Sequence, residues 1–347
     1  MGVFDKILKY DETVFKDELV FDYDYLPHVL KFRENQQQHI ATIIKPLFQG
    51  RNATNLVIIG KPGIGKTAAC KHVLREMENY SDKIYGIYVN CWKNESAYKI
   101  LVEICQQIGY KWIQNKKTTD LMREIASILN KKAAVIILDE ADKLKEEQVV
   151  YQLLEDIYKK SIILIANEKD FLSHMDQRTR SRLVPEVLEF EPYSVKEIYD
   201  ILDERRHGGF YPNVLDEELF EKIVEKTYEL EDLRTGLFLL QSAGNAAEVR
   251  SSRKVSDEDV EKAIGKLGAF QSSKAVLDDE EREILKMIKE NNGQPSSIIC
   301  KLYQEQFEKS DRTFRRKVAS LKEHKLIISK DETDEQGNLV PFLYLKG

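Results

Sequence analysis

Leu56-Val57-Ile58-Ile59-Gly60-Lys61-Pro62-Gly63-Ile64-Gly65-Lys66-Thr67-Ala68 joins a short apolar run to a Gly-x-x-x-x-Gly-Lys-Thr loop, and an amphipathic helix-forming segment follows to Tyr80. Strand before and helix after is the context in which this motif builds a phosphate site. Glycines let the backbone wrap so that successive N–H groups and the new helix N-terminus face an anion, as a triphosphate demands. The motif places Lys66 at the β/γ-phosphates and the Thr67 hydroxyl on Mg²⁺, with Gly60, Lys61, Pro62, Gly63, Ile64, Gly65 and Ala68 forming the cradle.

Outward from the loop, β-branched runs at 56–59, 84–90, 134–139, 161–167 and 187–190 alternate with helical patterns at 68–79, 96–109, 119–130 and 146–159. That alternation predicts a parallel sheet with helices on both faces. Ligands of such sheets bind at the carboxyl ends of the strands, where Thr67, Asp139 and Asn167 fall. Asp139 suits a direct or outer-sphere Mg²⁺ contact, so Thr67 and Asp139 are the expected metal residues. Glu140 suits the polarisation of an attacking water, and Asn167 a hold on that water or on the γ-phosphate. Upstream, a helical pattern over 36–48 is expected to dock on this core.

From Pro192 the patterns are helical only, at 194–206, 216–228, 231–249 and 256–266, which reads as a lid with Arg234 near the start of its third helix. Gly268 to Ala275 is small and polar, the composition of a linker. Beyond it, helices at 279–291, 295–307 and 311–324 precede a hairpin of 326–330 and 339–345, a winged-helix arrangement. Phe314, Val318 and Leu321 form the buried stripe of its third helix. Seven Lys or Arg against two acids over 309–325 give that segment a net charge of +5. Arg312, Arg315, Arg316, Lys317 and Lys322 are therefore the expected DNA-binding residues. A solvated basic face on a protein-binding winged helix is the competing reading, and the acidic tip from Asp331 to Glu335 fits a groove-entering wing poorly.

Composition bounds the alternatives. A chain of 347 residues suggests two or three domains, and a net charge of −6 excludes a generally basic nucleic-acid-coating protein, so DNA contact must be local. Nowhere do about 18 uncharged apolar residues run together, so a cytoplasmic, nucleoid-associated protein without membrane contact is expected. Four dispersed cysteines, with no Cys-x-x-Cys pair, give no zinc pattern.

In order and spacing, Leu26-Pro27-His28-Val29-Leu30-Lys31-Phe32-Arg33-Glu34, Gly60–Thr67, Asp139-Glu140-Ala141-Asp142, Phe190-Glu191-Pro192-Tyr193, Arg205 and Asp232-Leu233-Arg234 resemble the archaeal Orc1/Cdc6-type replication initiators. The resemblance implies an AAA+ core over 1–191, a helical lid over 192–267, a linker over 268–277 and a winged-helix domain over 278–347. It implies ATP/ADP as the nucleotide and slow, switch-type hydrolysis. It also implies Asp139 and Glu140 as the Walker B pair, Asn167 as sensor 1, Arg234 as sensor 2 and Arg182 as an arginine finger, a role for which Arg178 and Arg180 compete. Tyr193 and Arg205 match nucleotide-contacting positions, and Asn94 to Gly109 resembles a second DNA-contacting element. Two departures stand out. The lid motif reads Glu231-Asp232 where the family usually has Gly-Asp, without its second Arg, and Ile64 replaces a common Thr. The implied function is ATP-regulated binding of duplex DNA at replication origin repeats, with recruitment or loading of the replicative helicase and other initiator paralogues as further partners. A nucleotide-bound transcriptional regulator and an AAA+ motor with a protein-binding winged helix are the alternatives.

Overall fold

The computed structural model describes residues 13–168, 170–274, 279–307, 309–323, 326–333 and 339–345. They form two compact units, one ending at Ala263 and one beginning at Ile264.

In the first unit, β1 (Leu56–Ile59), β2 (Ile84–Asn90), β3 (Ala133–Asp139), β4 (Lys160–Ala166) and β5 (Glu186–Glu189) make a sheet ordered β2-β3-β4-β1-β5. Every pairing is parallel. β1, β3 and β4 are buried along their whole length, which is why they read as continuous apolar runs rather than alternating ones. Alternate residues serve opposite faces. Val57, Val89, Ile136 and Leu164 meet Ile100, Leu101, Leu121 and Leu153 of α3 (Ala97–Gln107), α4 (Thr118–Leu129) and α5 (Gln148–Asp156). Ile58, Ile84, Val135 and Ile165 meet Ile40, Ile44, Val73 and Met77 of α1 (Glu34–Phe48) and α2 (Lys66–Tyr80).

Two short helices, α6 (Phe171–His174) and α7 (Gln177–Leu183), precede β5, and the Asp176 side chain caps α7 by accepting from the Arg178 and Thr179 N–H groups. The lid comprises α8 (Val195–Gly209), α9 (Glu217–Leu230), α10 (Leu233–Val249) and α11 (Asp257–Lys274). The chain ahead of α1 is split between partners. Phe15 stacks on Phe210 at 5.3 Å and Lys16 donates its N–H to Gly209, so residues 15–16 attach to the lid rather than to the sheet. α11 runs on through residues 268–274, most of the stretch whose composition reads as a linker. Gly and Ser each cost only about 0.5–1 kcal/mol in a helix interior, too little to break one that is otherwise well formed.

The second unit has α12 (Asp279–Glu290), β6 (Gln294–Pro295), α13 (Ser296–Phe307), α14 (Asp311–Glu323), β7 (Ile327–Thr333) and β8 (Leu339–Leu345). Its antiparallel sheet is ordered β6-β8-β7, and β7 pairs with β8 from Ile327↔Leu345 to Thr333↔Leu339. Phe314, Val318 and Leu321 of α14 pack on Ile288, Tyr303 and Leu343, the expected stripe and a winged-helix core. The hairpin tip at 334–338, with the acidic Asp334 and Glu335, lies outside the described residues, as do His324 and Lys325.

Candidate functional site

The loop after β1 turns through positive φ at Gly63 (+73°) and Gly65 (+89°), a conformation that side-chain-bearing residues avoid, and α2 starts at Lys66. Lys66 is buried. Its ammonium donates to Gly60 O at 2.5 Å, Lys61 O at 2.7 Å and Asn167 Oδ1 at 2.9 Å. Burial, only partly offset by Asp139, pushes its pKa down to about 8. The loop thus folds a desolvated cation into a bowl of backbone, an arrangement that fits an anion.

Asp139, at the end of β3, is held from both sides. Thr67 Oγ1 and the Tyr88 hydroxyl each donate to Oδ2 at 2.7 Å, and the Glu140 N–H donates to Oδ1 at 2.8 Å. One carboxylate beside one hydroxyl at a phosphate cradle suits Mg²⁺, which keeps most of its ligands as water and phosphate oxygen. Glu140 follows in the left-handed region, φ +54°. Burial, then the carboxylates of Asp139 and Asp142, raise its pKa. A carboxylate whose charge is disfavoured in this way gains from accepting a proton, as a water-activating base must.

The lid meets the P-loop at Gly63 and at Lys61. Leu233 N–H donates to Gly63 O at 3.2 Å, and the Asp232 carboxylate lies so close to Gly63 that a Cβ there would be 1.8 Å from Oδ1. Asp232 caps α10 and grips Arg234, with Nε at 3.0 Å from Oδ1 and Nη2 at 2.7 Å from Oδ2. Arg234 is therefore paired within its own helix cap. Glu231 adopts φ +51°, the conformation that the glycine usual at this position takes without strain, and its carboxylate forms an ion pair with Lys61.

Tyr193 and Arg205 separate. Tyr193 is buried with its hydroxyl against Gly65, and the Arg33 guanidinium lies 3.8 Å from its ring centroid. Arg205 points elsewhere, donating to Val20 O at 3.2 Å over the Tyr25 ring. It braces the N-terminal segment. Of the three arginines on α7, Arg182 is tied to Glu155 at 2.7 Å, Arg180 makes a long contact to Leu172 O at 3.4 Å, and Arg178 is exposed.

In the second unit, Arg312, Arg315, Arg316 and Lys322 of α14 are exposed, and Arg315 pairs with Asp311 one turn earlier at 2.8 Å. Lys317 departs from this set. Its side chain is only 14% exposed and its ammonium lies 4.0 Å from the equally shielded Glu281. It falls on the flank of the buried stripe, between Phe314 and Val318, which helical periodicity shows only in outline.

The model of the AAA domain family matches residues 49–172, and that of the Cdc6 AAA+ ATPase-type lid domain matches residues 199–265. The ORC1-type DNA replication protein 2 of Methanosarcina acetivorans is 32% identical over 314 residues, covering 86% of this chain and 84% of the relative. Its counterpart in Methanothermobacter thermautotrophicus is 29% identical over 341 residues, covering 92% and 89%. This chain belongs to the ORC1-type DNA replication protein family. Its fold is that of the solved Aeropyrum pernix ORC1 protein in complex with DNA, with a TM-score of 0.78 at 23% identity over 97% of this chain and 94% of that one. AAA+ membership brings with it ATP binding and ATPase activity.

Within this ORC1-type core, three participants escape motif reading. Tyr88 reaches Asp139 from a neighbouring strand. Arg33 ties the N-terminal segment to the loop, donating to Ile64 O at 3.1 Å and Glu191 O at 2.7 Å. Asp232 occupies Arg234. Only Arg33 and Asp232 stand in stretches that carry the family resemblance, and nothing in the sequence marks what either one touches. Beside α3, Trp92 and Trp112 are 64% and 79% exposed, flanked by Lys93 and Lys111. No helix among the described residues is long and apolar enough to cross a membrane.

Proposed function

We propose that this chain is an ATP-switched replication initiator that binds Mg²⁺-ATP at the P-loop, binds duplex DNA at origin repeats and promotes recruitment of the replicative helicase. The observation that carries the switch is the contact of Asp232 and Leu233 with Gly63. A lid that touches the phosphate loop itself has to respond to what the loop holds. In this reading Lys66 and the loop N–H groups bind the phosphates, Thr67 and Asp139 provide the Mg²⁺ site, and Glu140 and Asn167 orient the attacking water. When bound, Mg²⁺ neutralises charge on the phosphate oxygens. Arg234 leaves Asp232 for the γ-phosphate, and that exchange couples nucleotide to lid position. Hydrolysis is slow because the exchange, not the chemistry, is the function. Arg182 acts as a finger toward a neighbouring subunit once Glu155 releases it.

DNA binding is supported by the basic face of α14 (Arg312, Arg315, Arg316 and Lys322) and by the aromatic and basic surface around α3. A relative of the same fold was solved in complex with DNA. Affinity for duplex should fall steeply with salt, as counterion release requires. The deciding experiment maps sites bound by the full-length protein across its genome. Clustering at a replication origin supports the initiator reading, whereas dispersal over promoters would replace it with a nucleotide-bound transcriptional regulator.

A further inference from the structure

Tyr88 lies in β2, outside every motif of the nucleotide site, yet its hydroxyl donates to Asp139 Oδ2 at 2.7 Å. The same oxygen accepts Thr67 Oγ1 at 2.7 Å. A carboxylate oxygen has two lone pairs, and these two donors fill them. Oδ1 accepts the Glu140 N–H at 2.8 Å, so the carboxylate can neither rotate nor swap its oxygens without breaking a bond.

Asn90 stands two residues on from Tyr88 in the same strand, on the same face, and the Lys71 ammonium lies 4.7 Å from the Tyr88 ring centroid. Asn90 is opposite Asp139 in the β2–β3 register, which brings Tyr88, two residues earlier on the same face of β2, within reach of that carboxylate. Of the two groups only the phenol has a proton to give, because an ionised carboxylate accepts and does not donate. The direction of the bond is therefore fixed, and Asp139 can only be the acceptor.

We propose that Tyr88 is a positioning residue of the Mg²⁺ site, fixing through its hydrogen bond the Asp139 carboxylate against which the Thr67 hydroxyl is aimed. The inference rests on the Mg²⁺-nucleotide reading above. With Oδ2 filled by two hydroxyls, Asp139 acts on the metal chiefly through Thr67 and metal-bound water. Loss of the tyrosine donor frees the carboxylate to turn and leaves Thr67 without a fixed acceptor. Groups that orient metal ligands in this way cost about 10–100-fold in metal affinity or activity when removed.

The test is Tyr88→Phe in the full-length protein, with binding of a fluorescent ATP analogue titrated against Mg²⁺ and binding of ADP measured in EDTA. The expected result is a rise of about tenfold or more in the Mg²⁺ concentration for half-maximal ATP binding, with ADP binding in EDTA within about twofold of the parent. An unchanged Mg²⁺ requirement in a variant that binds normally would overturn the proposal while leaving the Mg²⁺-nucleotide reading intact. Equal losses with and without Mg²⁺ would also overturn it, because they mark a purely structural role. A parent protein whose nucleotide binding ignores Mg²⁺ would remove the reading itself.

Discussion

Lys66 and Arg316 are both cations assigned to phosphate, and the protein holds them in opposite ways. Lys66 is buried, with its donors aimed at Gly60 O, Lys61 O and Asn167 Oδ1. Arg316 stands exposed on α14. Turnover requires groups fixed before the substrate arrives, in a setting where water is scarce and each charge acts strongly. A duplex backbone presents many equivalent phosphates, and affinity for it comes from releasing counterions rather than from one aligned contact. Buried charges at the core should therefore produce large, specific effects when altered, and exposed charges on α14 small, salt-dependent ones.

The largest contrast is expected from Lys66→Ala. Two charge-assisted hydrogen bonds to phosphate at about 2 kcal/mol each correspond to a loss of about 10³-fold in ATP affinity, measurable with a fluorescent nucleotide. Duplex binding measured without nucleotide should stay near the parent value, and parallel loss of both would erase the distinction between the two regions.

Glu140→Gln sharpens the picture within the core. The amide retains shape but does not accept a proton, so turnover should fall by about 10²-fold or more while ATP affinity changes little. Equal turnover in variant and parent would remove Glu140 from its role as base.

The state of Lys66 gives a pH test with a defined sign. Burial lowers its pKa to about 8, below its ordinary value, and the negative charge of a bound triphosphate would raise it again. Below pH 8 the ammonium is charged before and after binding. Above pH 8 binding must take up a proton, so affinity should fall as pH rises, by a factor approaching ten per unit. Calorimetry at pH 9 in buffers of different ionisation enthalpy would register the uptake. A flat affinity from pH 7 to 9.5 would mean that the buried ammonium is not what meets the phosphates.

Much of this was legible in the chain because each decisive group sits inside one continuous stretch. The P-loop, Asp139-Glu140 and Asn167 are strand ends, and strands that are buried on both faces announce themselves as apolar runs. What escaped was lateral. Tyr88 is 51 residues from Asp139 and Arg33 is 158 from Glu191, and only sheet register and tertiary packing bring such pairs together. The Asp232–Arg234 pair lies in plain view at i, i+2, yet its grip on the arginine follows from the helix cap geometry, which spacing does not reveal. Gly268 to Lys274 shows the converse. Residues of linker composition continue a helix, because low propensity is a weak force beside the cooperativity of an established helix.

On the duplex side, Arg316→Ala is expected to lower affinity only a few-fold near physiological salt and to reduce the slope of log affinity against log salt by about 0.9 if it meets one phosphate. An unaltered slope with lowered affinity would point to base-edge contact instead.

Lys317 should give the smallest effect on DNA, since it is a core-type charge placed in the exposed region. With 14% of its side chain accessible and Glu281 at 4.0 Å, it is turned toward the body of its own unit. Lys317→Ala leaves Glu281 shielded with less compensation, so the cost should appear as stability. A loss of about 1 kcal/mol in a domain of this size lowers the midpoint of its thermal transition by about 4–8 °C. Duplex affinity at fixed salt should stay within about twofold, and the salt slope should not move. A fall in slope comparable to that of Arg316→Ala would show that Lys317 leaves Glu281 for a phosphate when DNA binds. The division between shielded and exposed charges would then be a property of the unbound protein alone.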